Sequence, residues 1–395
     1  MLRFAQHDMA RWANTNIITK YLLTMTENKR LLSLDVLRGF DLFLLVALQP
    51  VLLAVLRQLD CEVLNGTLLY QLDHAEWEGM RVWDMVMPLF LFMSGVTMPY
   101  SLPKYRTSNG DFKVWMRVLK RFALLFLLGM LVQGNILALN PDRIYIYSNT
   151  LQAIAVGYLL TVPMVLYLKP WQQLAAIVLL LLLYSVPMHL WGDWSAQGNF
   201  AAVVDKTVLG RFRDGSVVAA DGAVQFATWY DYTWLWSSLT FCCTVALGSL
   251  AGHLTKNGND DRKATARKLA LVGAVLLVAG VLCGFAQPII KRIWTASFTI
   301  YSAGWCYMLL ALFYWWIDVK GHTKGWGWLL CFGCNAITAY LIGEMVNFRG
   351  IADSLLYGTE QYIGTWYPVL LTLCNSIIVF FILKIMYRAK LFLKV

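Results

Sequence analysis

Residues 36–56 read VLRGFDLFLLVALQPVLLAVL. Beyond Asp41 the run holds no charged side chain, and 21 residues wound as an α-helix reach about 30 Å, the thickness of a bilayer's hydrocarbon core. Apolar stretches of this length recur. They place ten helices at approximately 36–56, 83–100, 115–135, 149–168, 171–189, 233–254, 268–287, 298–318, 327–348 and 366–387. Composition agrees. The 395 residues are 59% hydrophobic and 14% charged, whereas a soluble domain is about 45–50% apolar and about 25% charged. Mean hydropathy is +0.56. So little polar material cannot clothe a water-facing surface, which excludes soluble globular, disordered, collagen-like, coiled-coil and disulfide-scaffold chains. A transmembrane barrel would need alternating segments of about ten residues, and none is visible. The expected fold class is all-α, a polytopic integral membrane protein of about ten transmembrane helices.

The formal charge of +10 arises from 33 Lys and Arg against 23 Asp and Glu. Ten spans put 24 of the 33 basic residues on the side that holds both termini, in runs such as Lys104 to Arg121 and Lys256 to Lys268, and leave nine opposite. The positive-inside rule therefore makes both termini cytoplasmic and explains the charge without nucleic acid. Residues 1–29 are expected as a cytoplasmic extension, since Arg3, Asp8, Arg11 and Lys20 break any leader-like apolar run. That fits a bacterial inner membrane. Residues 30–395 form one membrane domain, whose oligomeric state, a homodimer included, is left open. Two external loops stand out. Residues 57–82 are acidic (Asp60, Glu62, Asp73, Glu76, Glu78), and residues 190–232 are long and aromatic (Trp191, Trp194, Trp229, Tyr230, Tyr232). The aromatics read either as an interfacial belt or as a sugar-stacking surface.

Two constellations can carry chemistry. At the entry to the first helix, Asp35, Arg38 and Asp41 share one helical stripe, either as an ion-paired anchor or as a contact for an anionic ligand. Around the mouth of the second helix run Leu72-Asp73-His74-Ala75-Glu76-Trp77-Glu78-Gly79 and Trp83-Asp84. Histidine exchanges a proton near pH 7 without special tuning, and neighbouring acids can orient its ring. Spacing alone also allows a structural histidine.

The run RLLSLDVLRG, then HAEWEG, then WDMVMPLFLFMSG resembles the signature of the heparan-α-glucosaminide N-acetyltransferase family, whose pattern is approximately RxxSxDxxRG, HAxWNG and DLVFPxFxFxxG. TLQAIAVGYLL, the block from Trp294 to Gly321 and GCNAITAYL extend the similarity to essentially residues 30 to the C-terminus. The resemblance implies a membrane acyltransferase that moves an acetyl group from cytoplasmic acetyl-CoA, its donor substrate, to an amino sugar or glycan at the external face. It implies that His74 is catalytic, either carrying the acetyl group or acting as base. Asp73 or Asp84 would orient it and Gln49 would be an amide partner. Ser33, Asp35 and Arg38 would organise a tunnel for the donor, whose phosphates call for cations such as Arg38, Lys120 and Arg121. No metal is expected. The sequence departs from the pattern at three places: Gln49 stands where the family has Asn, Glu78 replaces the Asn of HAxWNG, and Ala153 replaces an Arg.

Cys331 and Cys334 are spaced as CxxC, but inside an apolar helix they read as packing residues. Glu344 is an intramembrane acid and so a candidate in its own right. Two other classes remain open at this stage: a secondary transporter or flippase for an anionic or glycan-linked substrate, and a catalytically inactive relative.

Overall fold

The structure, a computed structural model, describes residues 31–105, 110–219, 221–258 and 261–393. The expected extension 1–29 lies outside them. Helix α1 runs Leu32–Leu59, longer at both ends than its apolar run, because a π-helical turn at Leu44–Leu48 carries it over Pro50 without a break. It is followed by α2 (Val82–Tyr105), α3 (Phe112–Val132), α4 (Thr150–Tyr167) and α5 (Pro170–Leu190). A short helix α6 (Phe200–Leu209) and a hairpin of β1 (Ser216–Val218) and β2 (Val224–Phe226) precede α7 (Ser238–Asn257). Then come α8 (Arg262–Gly284), α9 (Ala296–Val319), α10 (Gly327–Cys334), α11 (Ala336–Met345), α12 (Phe348–Leu355) and α13 (Tyr367–Arg388).

All ten expected segments are helical, with two differences. The ninth is not a straight rod: α10 and α11 meet at 76°, so the described residues hold eight long apolar helices, or nine with the bent pair taken as one span. The break falls at Asn335, a point that an unbroken apolar tract conceals. The third segment, α3, is long enough to span, but Lys113, Arg117, Lys120 and Arg121 charge its first half.

Burial separates an inner ring from an outer one. In α7, 78% of the apolar window is buried, and in α2 67%, against 22% in α8. The outer face of α8 shows why: Leu271, Val275, Val278 and Leu282 form an exposed stripe with helical spacing, suited to lipid. The inner helices approach closely where side chains vanish. A Cβ on Gly95 would run into the carbonyl oxygen of Val245, and one on Gly248 into that of Phe92, so α2 and α7 cross with backbones almost touching. Such small-residue crossings replace the hydrophobic drive that lipid cannot supply.

The segment expected as the long aromatic loop is folded. Arg213, 1% exposed, donates from Nη2 to the carbonyls of Tyr230 (3.1 Å) and Tyr232 (3.5 Å). The buried carboxylate of Asp205 accepts the N–H groups of Trp234 (2.7 Å) and Leu235 (3.0 Å). The connections 60–81, 133–149, 191–237 and 285–295 all meet at one end of the bundle, as the alternation of ten spans requires. Trp77 Nε1 donates to Trp194 O, Ile146 N to Phe212 O, and Gly79 N to Ile289 O.

Candidate active site

Between α1 and α2 a short helical stretch at 62–71 gives way to irregular chain that runs to Arg81, and His74 lies in that irregular part. Its incoming end is fixed by Gln49 of α1, whose Nε2 donates to the carbonyl of Leu72 at 3.0 Å. Asp73 accepts the backbone N–H of His74 at 2.8 Å, so it shapes the main chain and does not orient the ring. Asp84 does. Its Oδ1 lies 2.7 Å from His74 Nδ1, while Oδ2 accepts the N–H groups of Arg81 (2.9 Å) and Ala75 (3.2 Å). Asp84 sits in the first turn of α2, where unpaired N–H groups favour a carboxylate.

The Asp84 side chain is 0% exposed, and a charge so buried needs a partner. It finds Lys291, whose Nζ lies 3.2 Å from Oδ1 and 3.0 Å from His74 Nδ1. Both contacts to Nδ1 cannot be hydrogen bonds in one tautomer. The carboxylate fixes the proton on Nδ1, which donates to Asp84, and the ammonium donates to Asp84 while standing beside the ring. Nε2 is then the free acceptor, on a side chain 39% exposed toward the loop-lined end. Burial pushes the Lys291 ammonium below its ordinary range, and the Asp84 carboxylate opposes that shift.

Sequence reasoning missed Lys291. It stands in a connection pinned to the His74 segment by main chain: Gly79 N donates to Ile289 O at 2.7 Å and Glu78 bridges Ile290. The available signal was its position, a Lys-Arg pair on the side where basic residues are scarce. Its neighbour Arg292 pairs with Asp231 at 2.5 Å. Nearby, Asn149 Nδ2 donates to Tyr340 OH (3.1 Å) and Gln133 Oε1 (3.3 Å), and Gln133 Nε2 donates to Asp214 (3.3 Å).

The expected donor residues lie toward the other end. Arg38 and Asp35 approach to 3.8 Å, and Ser33 is fully buried beside Asp318. Arg38 precedes Gln49 by eleven helical residues, about 16 Å along α1. Arg121 lays its guanidinium over the Tyr158 ring at 4.2 Å, whereas Lys120 is exposed. The structure thus brings His74, Asp84 and Gln49 to one region and leaves Ser33, Asp35, Arg38, Lys120 and Arg121 outside it. Between the two regions, Asp41 of α1 and Asn335 at the α10–α11 break are each 1% exposed, and neither side chain has a hydrogen-bond partner among the described residues. Irregular backbone at this depth is tolerated where it is enclosed by protein or lines a passage.

Residues 30–195 match the family model described as Heparan-alpha-glucosaminide N-acetyltransferase, catalytic. The chain is 23% identical over 369 residues to the heparan-alpha-glucosaminide N-acetyltransferase of Homo sapiens, covering 80% of this chain and 53% of that protein. For the Mus musculus protein of the same name the identity is 22%, with 80% and 54% covered. The chain thus spans about half the length of the curated relatives it matches. The family read from the motifs is the one these comparisons return, a family of membrane acetyltransferases, and the matched stretch contains both His74 and Asp84.

Proposed function

We propose that a chain carrying this catalytic stretch transfers an acetyl group from acetyl-CoA to the amine of an amino sugar or glycan, with His74 as general base. The observation that carries the reading is the 2.7 Å contact between His74 Nδ1 and Asp84, which leaves Nε2 free at the loop-lined end. In the bacterial inner membrane that this reading assumes, the charge asymmetry supports an external position for that end and a cytoplasmic one for the Arg38 end. The donor enters from the cytoplasmic side, where Arg38 and Arg121 meet its phosphates. Its pantetheine arm carries amides that suit the unpartnered Asp41 and Asn335. The acetyl carbonyl then stands near His74.

Nε2 takes a proton from the amine as its nitrogen attacks the thioester carbonyl. Asp84 stabilises the imidazolium that forms, and Lys291 holds Asp84 in place. The C–N bond forms, the C–S bond breaks, and the proton passes from Nε2 to the departing thiolate. The test is acetyl transfer from labelled acetyl-CoA to glucosamine by purified protein, followed by an acid quench. Label on the sugar and none on the protein is expected; label on His74 would overturn the base role, and no transfer would overturn the enzymatic reading.

The bent pair α10–α11 favours one rival, since broken helices often line transport paths. Counterflow of glucosamine in proteoliposomes without acetyl transfer would decide for a carrier.

A further inference from the structure

On the loop-lined half of the bundle, α1, α11 and α13 leave a cavity of about 280 Å³ between them. Its walls bring together Gln49 of α1, Tyr340 and Glu344 of α11, and Asn375 of α13. A gap between spanning helices is ordinarily apolar, yet this one is lined by a carboxylate, two amides and a phenol. Glu344 and the Asn375 side chain make no hydrogen bond or ion pair with any described residue. The other two are already engaged in part. Gln49 spends its Nε2 on Leu72 O and keeps Oε1 as an acceptor. Tyr340 OH accepts from Asn149 and also bonds the Thr150 hydroxyl.

The cavity therefore offers one negative charge and several acceptors, with no cation among its lining residues. Glu344 is exposed in the last turn of α11, and an acid in a spanning segment with no partner among the described residues is by default a ligand or ion site. Its complement is a small cation rich in N–H donors, which describes a protonated primary amine. The volume lies just under the range of about 300–1,000 Å³ for drug-sized pockets, so one sugar ring fits and a chain does not. Gln49 also ties this cavity to the reaction centre, since Leu72, which it holds, is two residues before His74.

We propose that this cavity receives the protonated amine of the acceptor, with Glu344 as its counter-ion. The assignment rests on the acetyl-transfer reading and supplies its acceptor side. An ammonium has no lone pair with which to attack a thioester. Glu344 takes one N–H proton and becomes a carboxylic acid, leaving a neutral amine. That amine forms the C–N bond as described above, its second proton going through His74 to the thiolate. Glu344 then releases its proton to water.

Glucosamine and glucose, which differ only by an amine or a hydroxyl on one ring carbon, serve as probes, and their binding to the purified full chain in nanodiscs is measured without acetyl-CoA. Wild type is expected to bind glucosamine at least about 10-fold more tightly than glucose, the scale of one charged hydrogen bond. Glu344→Gln should bind both sugars alike, while Glu344→Asp keeps part of the preference. Unchanged CoA binding in Glu344→Gln shows that the variant is folded. A preference for glucosamine that survives Glu344→Gln, or none in wild type, overturns the assignment. Because no donor is present, a wild type that discriminates but never transfers acetyl would refute the enzymatic reading alone.

Discussion

The ammonium of Lys291 sits 3.2 Å from the carboxylate of Asp84, and the same ammonium lies 3.0 Å from a histidine 217 residues away in the chain. One buried carboxylate thus serves two partners: it orients an imidazole and neutralises a lysine. Removing either neighbour changes what the other experiences.

His74→Ala should lower acetyl transfer by about 10²–10⁴-fold, the usual contribution of a positioned general base. Asp84→Asn keeps the shape of the side chain but no longer fixes the proton on Nδ1, and should lose a comparable factor in kcat with little change in the KM for acetyl-CoA. Initial rates with labelled donor check both. Full activity in His74→Ala would remove the histidine from the chemistry.

Lys291→Met leaves Asp84 buried beside a group that is not permanently charged. Breaking a buried ion pair from one side costs about 3–5 kcal/mol, so the melting temperature should fall markedly. Adding Asp84→Asn removes the orphaned charge, so the double variant should be less destabilised than the sum of the single ones. Additive losses in thermal melts would show that the two groups do not interact.

Asp205 predicts a pH dependence confined to the folded loop. Burial raises its carboxyl from 3.8 to about 6, against the opposing pull of the Trp234 and Leu235 N–H groups and Arg213. The folded form therefore holds its proton more tightly than the unfolded form. The stability it contributes is fully present below about pH 4 and is lost as pH rises through about 6. Protection of the Trp234 and Leu235 amides, measured by hydrogen exchange corrected for intrinsic rates, should decline over that window. Asp205→Asn should flatten the decline.

Gly95→Ala places a methyl group against the Val245 carbonyl at the α2–α7 crossing, where neither backbone can give way cheaply. Overpacking of this kind costs about 1–3 kcal/mol, to be read from melting in detergent. Gly66→Ala meets open space and should be near neutral.

Sidedness has a thiol of its own to report it. Cys61 is free and exposed in the His74-bearing connection. A membrane-impermeant maleimide added outside intact cells should label it, and labelling only after the membrane is opened would reverse the orientation.

Much of the fold was legible because spanning length and apolarity are imposed by lipid, residue by residue, and Leu42 to Leu56 could hardly do anything else. His74 was legible through its motif. Its partner was left between Asp73 and Asp84, because both are close in sequence and only the turn at Arg81 shows which carboxylate faces the ring. Glu344 was legible as an intramembrane acid, but Lys291 and the approach of Gln49 and Asn375 to Glu344 depend on how distant segments are laid side by side, which local pattern does not encode. The break at Asn335 was hidden for a related reason: hydropathy averages over a kink. Glu78, a departure from the family pattern, is also easier to understand in three dimensions. At that position the link to Ile290 runs through main chain, so the side chain is free to change.

The connection bearing Lys291 begins some ninety residues beyond the end of the stretch that matches the family's catalytic model. A fragment cut at residue 195 would keep the histidine and its carboxylate but expose the carboxylate to an interior without a countercharge. The stretch that the catalytic model matches is thus smaller than what must fold as one. Domain swaps or truncations that respect the motif boundary should yield a chain that carries the signature and cannot hold it in place.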